Sequence, residues 1–185
     1  MSRHPSGERI AGDRYYTPDE VALACLRTFA EAVPLDGRRV LEPSCGGGAF
    51  VRTLRQIAPC AQIIGVDADP EAAGLQACDV GHVADFLSVS PAADVVVGNP
   101  PYRQAEAHIE HAIGLASDVG MLVRMMLLAG QKRRSFWRAY PPASVHVIVP
   151  RPSFTGSGTD ACDYAWIRWS ISPPAAPSLG WIHWR

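Results

Sequence analysis

Three consecutive valines, Val95-Val96-Val97, lead through Gly98 into Asn99-Pro100-Pro101-Tyr102, and this junction constrains the fold more than any other part of the chain. A short β-branched run reads as a strand buried on both faces, as in a parallel sheet, and the prolines stop it at its carboxyl end. Open α/β sheets place ligands at that end. Neither proline has an N–H, so the turn is stiff and its carbonyls are not consumed by a helix ladder. Asn99 offers a side-chain oxygen, Pro100 a backbone oxygen and Tyr102 a ring. Two acceptors beside a flat aromatic suit a planar group that bears an NH2. The plain alternative is a Pro-Pro turn that merely ends a strand.

The preceding residues supply the partners such a strand needs. Arg39-Val40-Leu41-Glu42 reads as a strand that runs through Pro43-Ser44-Cys45 into Gly46-Gly47-Gly48 and a helix from Ala49 to about Ile57. Consecutive glycines let the backbone pass close under a ligand and turn N–H groups toward it. A phosphate loop would end in Lys-Ser/Thr, and an acid such as Glu42 at the strand tip would repel phosphate, so this loop prefers a cation-bearing ligand. Ala61–Asp67 gives a second strand with an acid at its tip, at the usual place for a carboxylate that grips ribose hydroxyls. A third strand around His82-Val83-Ala84 ends in Asp85-Phe86. The βαβ rhythm implies a doubly wound parallel sheet with these tips on one edge.

Upstream, Thr17, Pro18 and Glu20 make a capping box, which predicts a helix from Pro18 to about Ala32 with Thr17 as its N-cap. The N–H groups of that helix start could hold a carboxylate. Capping alone also accounts for Thr17. Downstream, a helix is expected over Gln104–Ala116, a fifth strand over Gly120–Leu128 and a basic helix over Gln131–Tyr140. Strands follow over Ser144–Val149 and Tyr164–Ser170, the latter alternating Tyr164/Trp166/Arg168 with Ala165/Ile167/Trp169. Between them, Thr155–Thr159 reads as a flexible loop. A linker, Ser172–Pro177, precedes Trp181–Trp184, a last strand or docked tail.

The 185 residues, 48% hydrophobic and 19% charged, suit one domain over 15–185 after a flexible tail over 1–14. Cys25, Cys45, Cys60, Cys78 and Cys162 show no metal-ligand spacing and read as reduced core thiols. Met1–Asp13 has no apolar core of a signal peptide, and Val119–Leu128 is short and interrupted by Arg124, so neither secretion nor membrane insertion is expected and the location is cytoplasmic. The net charge of −1 hides an asymmetry: Val119 to Thr159 holds no acid but carries Arg124, Lys132, Arg133, Arg134, Arg138 and Arg151. Such a face points to a polyanionic partner or is a solvated surface.

Taken in order, Tyr16-Thr17-Pro18, Leu41–Phe50, Gly65-Val66-Asp67-Ala68-Asp69-Pro70, Ala84-Asp85-Phe86-Leu87 and Asn99-Pro100-Pro101-Tyr102 resemble motifs X, I, II, III and IV of the gamma group of S-adenosylmethionine-dependent DNA amino-methyltransferases. The resemblance covers Tyr15 to about Trp169. Motif X ahead of motif I is specific to this circular order, and Asn-Pro-Pro-Tyr within it points to adenine N6. Arg151-Pro152-Ser153-Phe154 is similar to the motif VIII region, whose aromatic packs against the extruded base.

The resemblance implies a Rossmann-like class I methyltransferase fold, α/β, with a doubly wound, mostly parallel seven-stranded sheet. It implies S-adenosylmethionine as cofactor, with no metal. Tyr16, Thr17 and the loop Pro43, Ser44, Gly46 and Gly48 would hold the methionine end, with Glu42 near its ammonium. Asp67 would bind the ribose and Asp85 the adenine amino group, with Ala68 and Phe86 sandwiching the adenine. Acids at strand tips can instead cap the next helix, and Phe86 can be core. Asn99, Pro100, Pro101, Tyr102 and Phe154 would form the catalytic and base-stacking set. Lys132, Arg133, Arg134, Arg138 and Arg151 would contact DNA phosphates.

The implied reaction is methyl transfer to adenine N6 in flipped-out DNA, of the restriction-modification kind. RNA adenine, a release-factor glutamine and a catalytically silent cofactor- or nucleic-acid-binding subunit are the alternatives, and the motif X region argues against glutamine. The family carries a target-recognition domain after motif VIII, whereas Ser170–Arg185 has no room for one. Loose sequence preference, a homodimer or a specificity-providing partner is the expected remedy.

Overall fold

The computed structural model describes residues 16–154 and 161–185. The tail 1–14, Tyr15 and the loop Thr155–Thr159 lie outside the described residues. Eight strands form one sheet in the order β3-β2-β1-β4-β5-β7-β6-β8. They are β1 (Arg39–Glu42), β2 (Gln62–Asp67), β3 (Val80–Val83), β4 (Val95–Gly98), β5 (Asp118–Arg124), β6 (Ser144–Val149), β7 (Tyr164–Ser170) and β8 (Ser178–His183). The helices are α1 (Asp19–Ala30), α2 (Ala49–Ile57), α3 (Ala73–Gln76), α4 (Ala105–Leu115) and α5 (Arg134–Ala139). β7 alone opposes its neighbours: it is antiparallel to β5 and β6, while the other pairs are parallel.

The sheet therefore has eight strands rather than the seven expected, and it is mixed. The eighth arises because the Pro-rich linker returns the chain beside β6, where Ser178 to His183 pair in register with Ser144 to Val149. The chain reverses its order of strand addition between β1 and β4, so the glycine turn and the Asn-Pro-Pro-Tyr turn leave the sheet side by side.

The strand alternation divides two apolar layers. Val95, Val97, Tyr164 and Trp166 face α1 and α2, while Val96, Ala165, Ile167 and Trp169 face the other side with Ile109 of α4 and Phe136 of α5. Trp166 is 1% exposed and packs face to face on Phe50 at 5.7 Å and edge-on to Phe29 at 6.1 Å. Burial of one such side chain contributes roughly 1.5–3 kcal/mol. Asp19 and Arg52 form a two-bond ion pair at 2.6 and 2.9 Å that ties the start of α1 to α2.

Several boundaries differ from the sequence reading, and the basic helix expected over Gln131–Tyr140 is a 3₁₀ turn, Gln131–Arg133, followed by the short α5. β5 stops at Arg124 instead of reaching Leu128, because its partner β7 begins at Tyr164 opposite Arg124, and Met125–Ala129 then coils into a 3₁₀ turn. α1 begins at Asp19 with Pro18, not Thr17, at the cap: the Pro18 carbonyl accepts from the Val21 and Ala22 N–H groups, and no side chain caps the helix. Of the cysteines expected in the core, Cys25 and Cys45 are buried, but Cys78 and Cys162 are half-buried and Cys60 is exposed. No helix among the described residues is long and apolar enough to cross a membrane.

Candidate active site

The tips of β1, β2 and β4 open into a cavity of about 610 Å³, a size suited to a nucleoside-sized ligand. Tyr16, Pro43, Ser44, Gly46, Asp67, Ala68, Asp85, Phe86, Asn99, Pro100, Pro101 and Tyr102 line it. Thr17, Glu42, Gly48 and Phe154 do not border it.

The glycine turn explains part of this division. Gly46 and Gly48 have positive φ, 42° and 82°, which only glycine adopts without strain. A Cβ on Gly48 would meet the Gly74 backbone at 2.9 Å, so this glycine serves the contact with α3 rather than the cavity. Gly47 lies against the Tyr16 ring, 3.0 Å from where its Cβ would stand. Asp67 holds the turn in place: Oδ2 accepts from the Gly46 N–H at 2.7 Å and Oδ1 from the Asp69 N–H at 2.9 Å. Asp67 thus anchors the glycine turn and its own turn rather than capping α3, whose start has no side-chain cap, and each carboxylate oxygen retains a second lone pair on the cavity wall. Asp85 likewise caps the turn Phe86–Ser88, accepting from the Leu87 N–H at 3.0 Å.

Glu42 lies beneath the turn, 2% exposed, and accepts from the Ser44 N–H at 3.1 Å. Burial pushes its carboxyl well above the ordinary range, with Cys78 and Asp67 adding in the same direction. A Cβ on Gly98 would collide with the Glu42 carboxylate, so glycine at the end of β4 makes room for it. Burial thus favours the neutral acid, which ionises readily only when a cation is brought beside it.

Asn99 leaves β4 half-buried, and its Nδ2 donates to Thr17 Oγ1 at 3.1 Å. Thr17 therefore orients Asn99 instead of capping α1. The Pro101 carbonyl closes the following turn by accepting from the Gln104 N–H at 2.9 Å. The Arg124 guanidinium stands 4.3 Å above the centre of the Tyr102 ring. Burial and the neighbouring Tyr164 raise the Tyr102 hydroxyl well above its usual range, opposed by Asn99 and Arg124. Phe154, expected beside the base, is 6% exposed and packs on Tyr164 at 4.6 Å, while Tyr164 touches Tyr102 at 5.8 Å.

Ala68 and Phe86 both reach the cavity, but Phe86 is 2% exposed and is also core, so both readings of it hold. Behind it stands His108, which the sequence reading missed. It is 3% exposed, lines the cavity, lies 5.3 Å from the Phe86 ring and pairs through Nδ1 with the Gln104 carbonyl at 3.2 Å. Burial lowers its pKa. Its position one helical turn after Gln104, on the helix that follows Asn-Pro-Pro-Tyr, was the available signal.

The basic segment is less uniform in space than in sequence. Arg133 pairs with Glu106 of α4, and Arg151 with Asp163 at 2.5 Å. Lys132, Arg134 and Arg138 are exposed. The segment follows β5, a parallel neighbour of β4, and so leaves the sheet at the edge where Asn99 stands.

No family model matches the chain. It is 33% identical over 115 residues to the Type II methyltransferase M.TthHB8I of Thermus thermophilus, covering 60% of this chain and 27% of that protein. It is 30% identical over 109 residues to the Type II methyltransferase M.CvrRI of Paramecium bursaria Chlorella virus XZ-6E, covering 56% and 28%. The chain thus matches little more than a quarter of the length of these curated relatives. Among solved structures, a Listeria monocytogenes protein described as a class I S-adenosylmethionine-dependent methyltransferase superposes with a TM-score of 0.71 at 16% identity, covering 95% of this chain and 68% of that one. Magnesium protoporphyrin IX methyltransferase of Synechocystis, solved with bound S-adenosylmethionine, gives 0.56 at 18%, covering 83% and 77%. The fold is that of class I S-adenosylmethionine-dependent methyltransferases, which by itself leaves the methyl acceptor open.

Proposed function

We propose that this chain binds S-adenosylmethionine and transfers its methyl group to the N6 amine of adenine in DNA. The observation that carries the reading is the Asn99-Pro100-Pro101-Tyr102 turn standing on the wall of the same cavity as the glycine turn, with Asn99 anchored to Thr17. The two relatives named Type II methyltransferases favour DNA over RNA.

The residues present suit the cofactor. Glu42, directly beneath the Pro43 and Ser44 wall, would balance an ammonium seated on that wall, Ser44, Gly46 and Gly47 would receive the amino-acid end, and Asp67 would meet the ribose. Ala68 and Phe86 would flank the adenine, with Asp85 at its amino group. The bound cofactor supplies an electrophilic methyl group on a sulfonium.

The protein's own contribution is to reshape the acceptor. An adenine N6 lone pair is delocalised into the ring, and no side chain removes a proton from that amine in advance. Anchoring the Asn99 amide by its nitrogen turns its oxygen into the acceptor. Asn99 Oδ1 and the Pro100 carbonyl take the two N–H bonds, favour a pyramidal nitrogen and stabilise the positive charge that develops there. Holding the amine in line at near-attack distance supplies much of the remaining acceleration. The proton, acidic once the bond has formed, leaves through water.

Adenine inside a duplex does not reach this cavity, so the base is flipped out or single-stranded and stacks on Tyr102. Phe154 supports that shelf through Tyr164. Lys132, Arg134 and Arg138 track phosphates. Incubation with tritiated cofactor and unmethylated DNA, RNA and protein in parallel tests the reading: label enters DNA, and label confined to RNA or protein overturns it.

A further inference from the structure

Two of the five cysteines come together directly under the glycine turn. Cys45 Sγ and Cys78 Sγ are 4.0 Å apart although the residues are 33 positions apart in the chain. Gly65 of β2 makes the meeting possible, since a Cβ there would collide with both sulfurs. Cys45 is 4% exposed and points its Sγ toward the Glu42 carbonyl at 3.5 Å. Cys78 is half-buried, with its Sγ 3.2 Å from the Gly74 carbonyl. No other pair of thiols makes such a contact among the described residues.

We infer that Cys45 and Cys78 form an oxidisable dithiol that hydrogen peroxide converts to a disulfide, a modification site that distorts the glycine turn. The two sulfurs differ in the way this chemistry needs. Cys78 is the more accessible, and the Cys45 S–H bond together with Arg55 shifts its thiol toward the thiolate. Cys45 is held as a thiol by Cys78 and by burial.

The Cys78 thiolate attacks one peroxide oxygen, the O–O bond breaks, and hydroxide leaves, which is protonated to water. The Cys45 sulfur then attacks the Cys78 sulfenic acid, its proton departs, and the hydroxyl leaves as a second water. Two thiols are oxidised by two electrons and one peroxide is reduced to two waters.

Closure to a bond of about 2.05 Å draws the sulfurs together by roughly 2 Å. The turn has little slack for that. The Cys45 N–H is bonded to the Val66 carbonyl at 3.2 Å, the Gly74 N–H to the Gly46 carbonyl at 3.0 Å, and the Gly46 N–H to Asp67 at 2.7 Å. Movement of Cys45 therefore carries into Ser44, Gly46 and Asp67 on the cavity wall. This consequence rests on the cofactor reading of the cavity, whereas the disulfide itself does not.

The test is peroxide treatment of the native protein, with thiol alkylation, intact mass and peptide mapping, followed by calorimetry with S-adenosylhomocysteine before and after reduction by dithiothreitol. A Cys45–Cys78 crosslinked peptide, absent in Cys78→Ser, with cofactor affinity at least about tenfold weaker and restored by reduction, is the expected result. Oxidation at Cys60 or Cys162 with Cys45 and Cys78 still alkylatable overturns the site. A crosslink with unchanged affinity overturns its coupling to the turn. Reduced protein that binds no S-adenosylhomocysteine fails the cofactor reading, and the crosslinked peptide still decides the dithiol.

Discussion

Asn99 Nδ2 donates to Thr17 Oγ1 at 3.1 Å, joining the end of β4 to the residue just before α1 across 82 positions of chain. With the amide nitrogen held by Thr17, the amide oxygen is the group favoured to meet an acceptor amine. Thr17→Val removes the hydroxyl at almost constant shape. We expect methyl transfer to fall about tenfold, ~1.4 kcal/mol in the barrier, with cofactor affinity nearly unchanged. Steady-state kinetics with calorimetry reads both; lost cofactor affinity with normal turnover would return Thr17 to a role in cofactor binding.

Glu42 gives a pair of opposed effects. Its carboxyl is raised by burial, so in the empty protein its protonated form is favoured; its contribution to stability is full below the ordinary carboxyl range and is lost as pH rises through the raised value. Glu42→Gln should therefore stabilise the empty protein above neutral pH, by about 1–3 kcal/mol in denaturant melts. The same variant should lose cofactor binding, because the ammonium has no partner. In the native protein, affinity should strengthen as pH rises toward the raised value and be accompanied by proton release. A destabilised variant, or binding that weakens with pH over that range, contradicts this.

Asp67 carries two duties that separate by substitution. Asp67→Ala should weaken cofactor binding by roughly 1.5–3 kcal/mol through the loss of charged hydrogen bonds, and should also loosen the turn held by Gly46 and Asp69. Asp67→Asn keeps an acceptor for one of those N–H groups and should recover more melting temperature than affinity. Calorimetry alongside thermal melting checks this, and unchanged affinity in both variants would make Asp67 a turn anchor alone.

The exposed cations divide from the paired one. A Lys132, Arg134 and Arg138→Gln triple variant should weaken binding to every DNA sequence about equally and flatten the salt dependence by roughly one unit of slope for each phosphate left without its cation. Arg133→Gln, which breaks a partly exposed pair with Glu106, should change stability by at most about 1 kcal/mol and leave the slope closer to wild type. An unaltered slope in the triple variant would mark a solvated face and shift weight to a protein substrate or to a partner that brings the nucleic acid.

Much of this site is readable in sequence because its signals are local. The valine run of β4, the glycine turn and the span Ala49–Ile57 of α2 follow from neighbouring residues alone. Thr17 misleads for the same reason: its capping-box spacing is a local pattern, and the partner that claims its hydroxyl stands at the far end of β4. The overlong β5 is a related case, since only the start of β7 decides where its ladder stops. Arg133 looks free in an acid-free run, yet Glu106 reaches it from α4. The last strand, β8, needed β6 beside it before a segment after a Pro-rich linker could be told from a docked tail.

The most direct measurement is nucleoside mass spectrometry of unmethylated DNA after incubation with S-adenosylmethionine and either native protein or Asn99→Ala, with S-adenosylhomocysteine affinity determined for both. N6-methyldeoxyadenosine is expected with the native protein, with a loss of about 10²–10³-fold in its formation with Asn99→Ala and cofactor affinity that stays within about threefold. Methylation on another nucleobase, or an Asn99→Ala protein that still forms N6-methyldeoxyadenosine at the native rate, would contradict it.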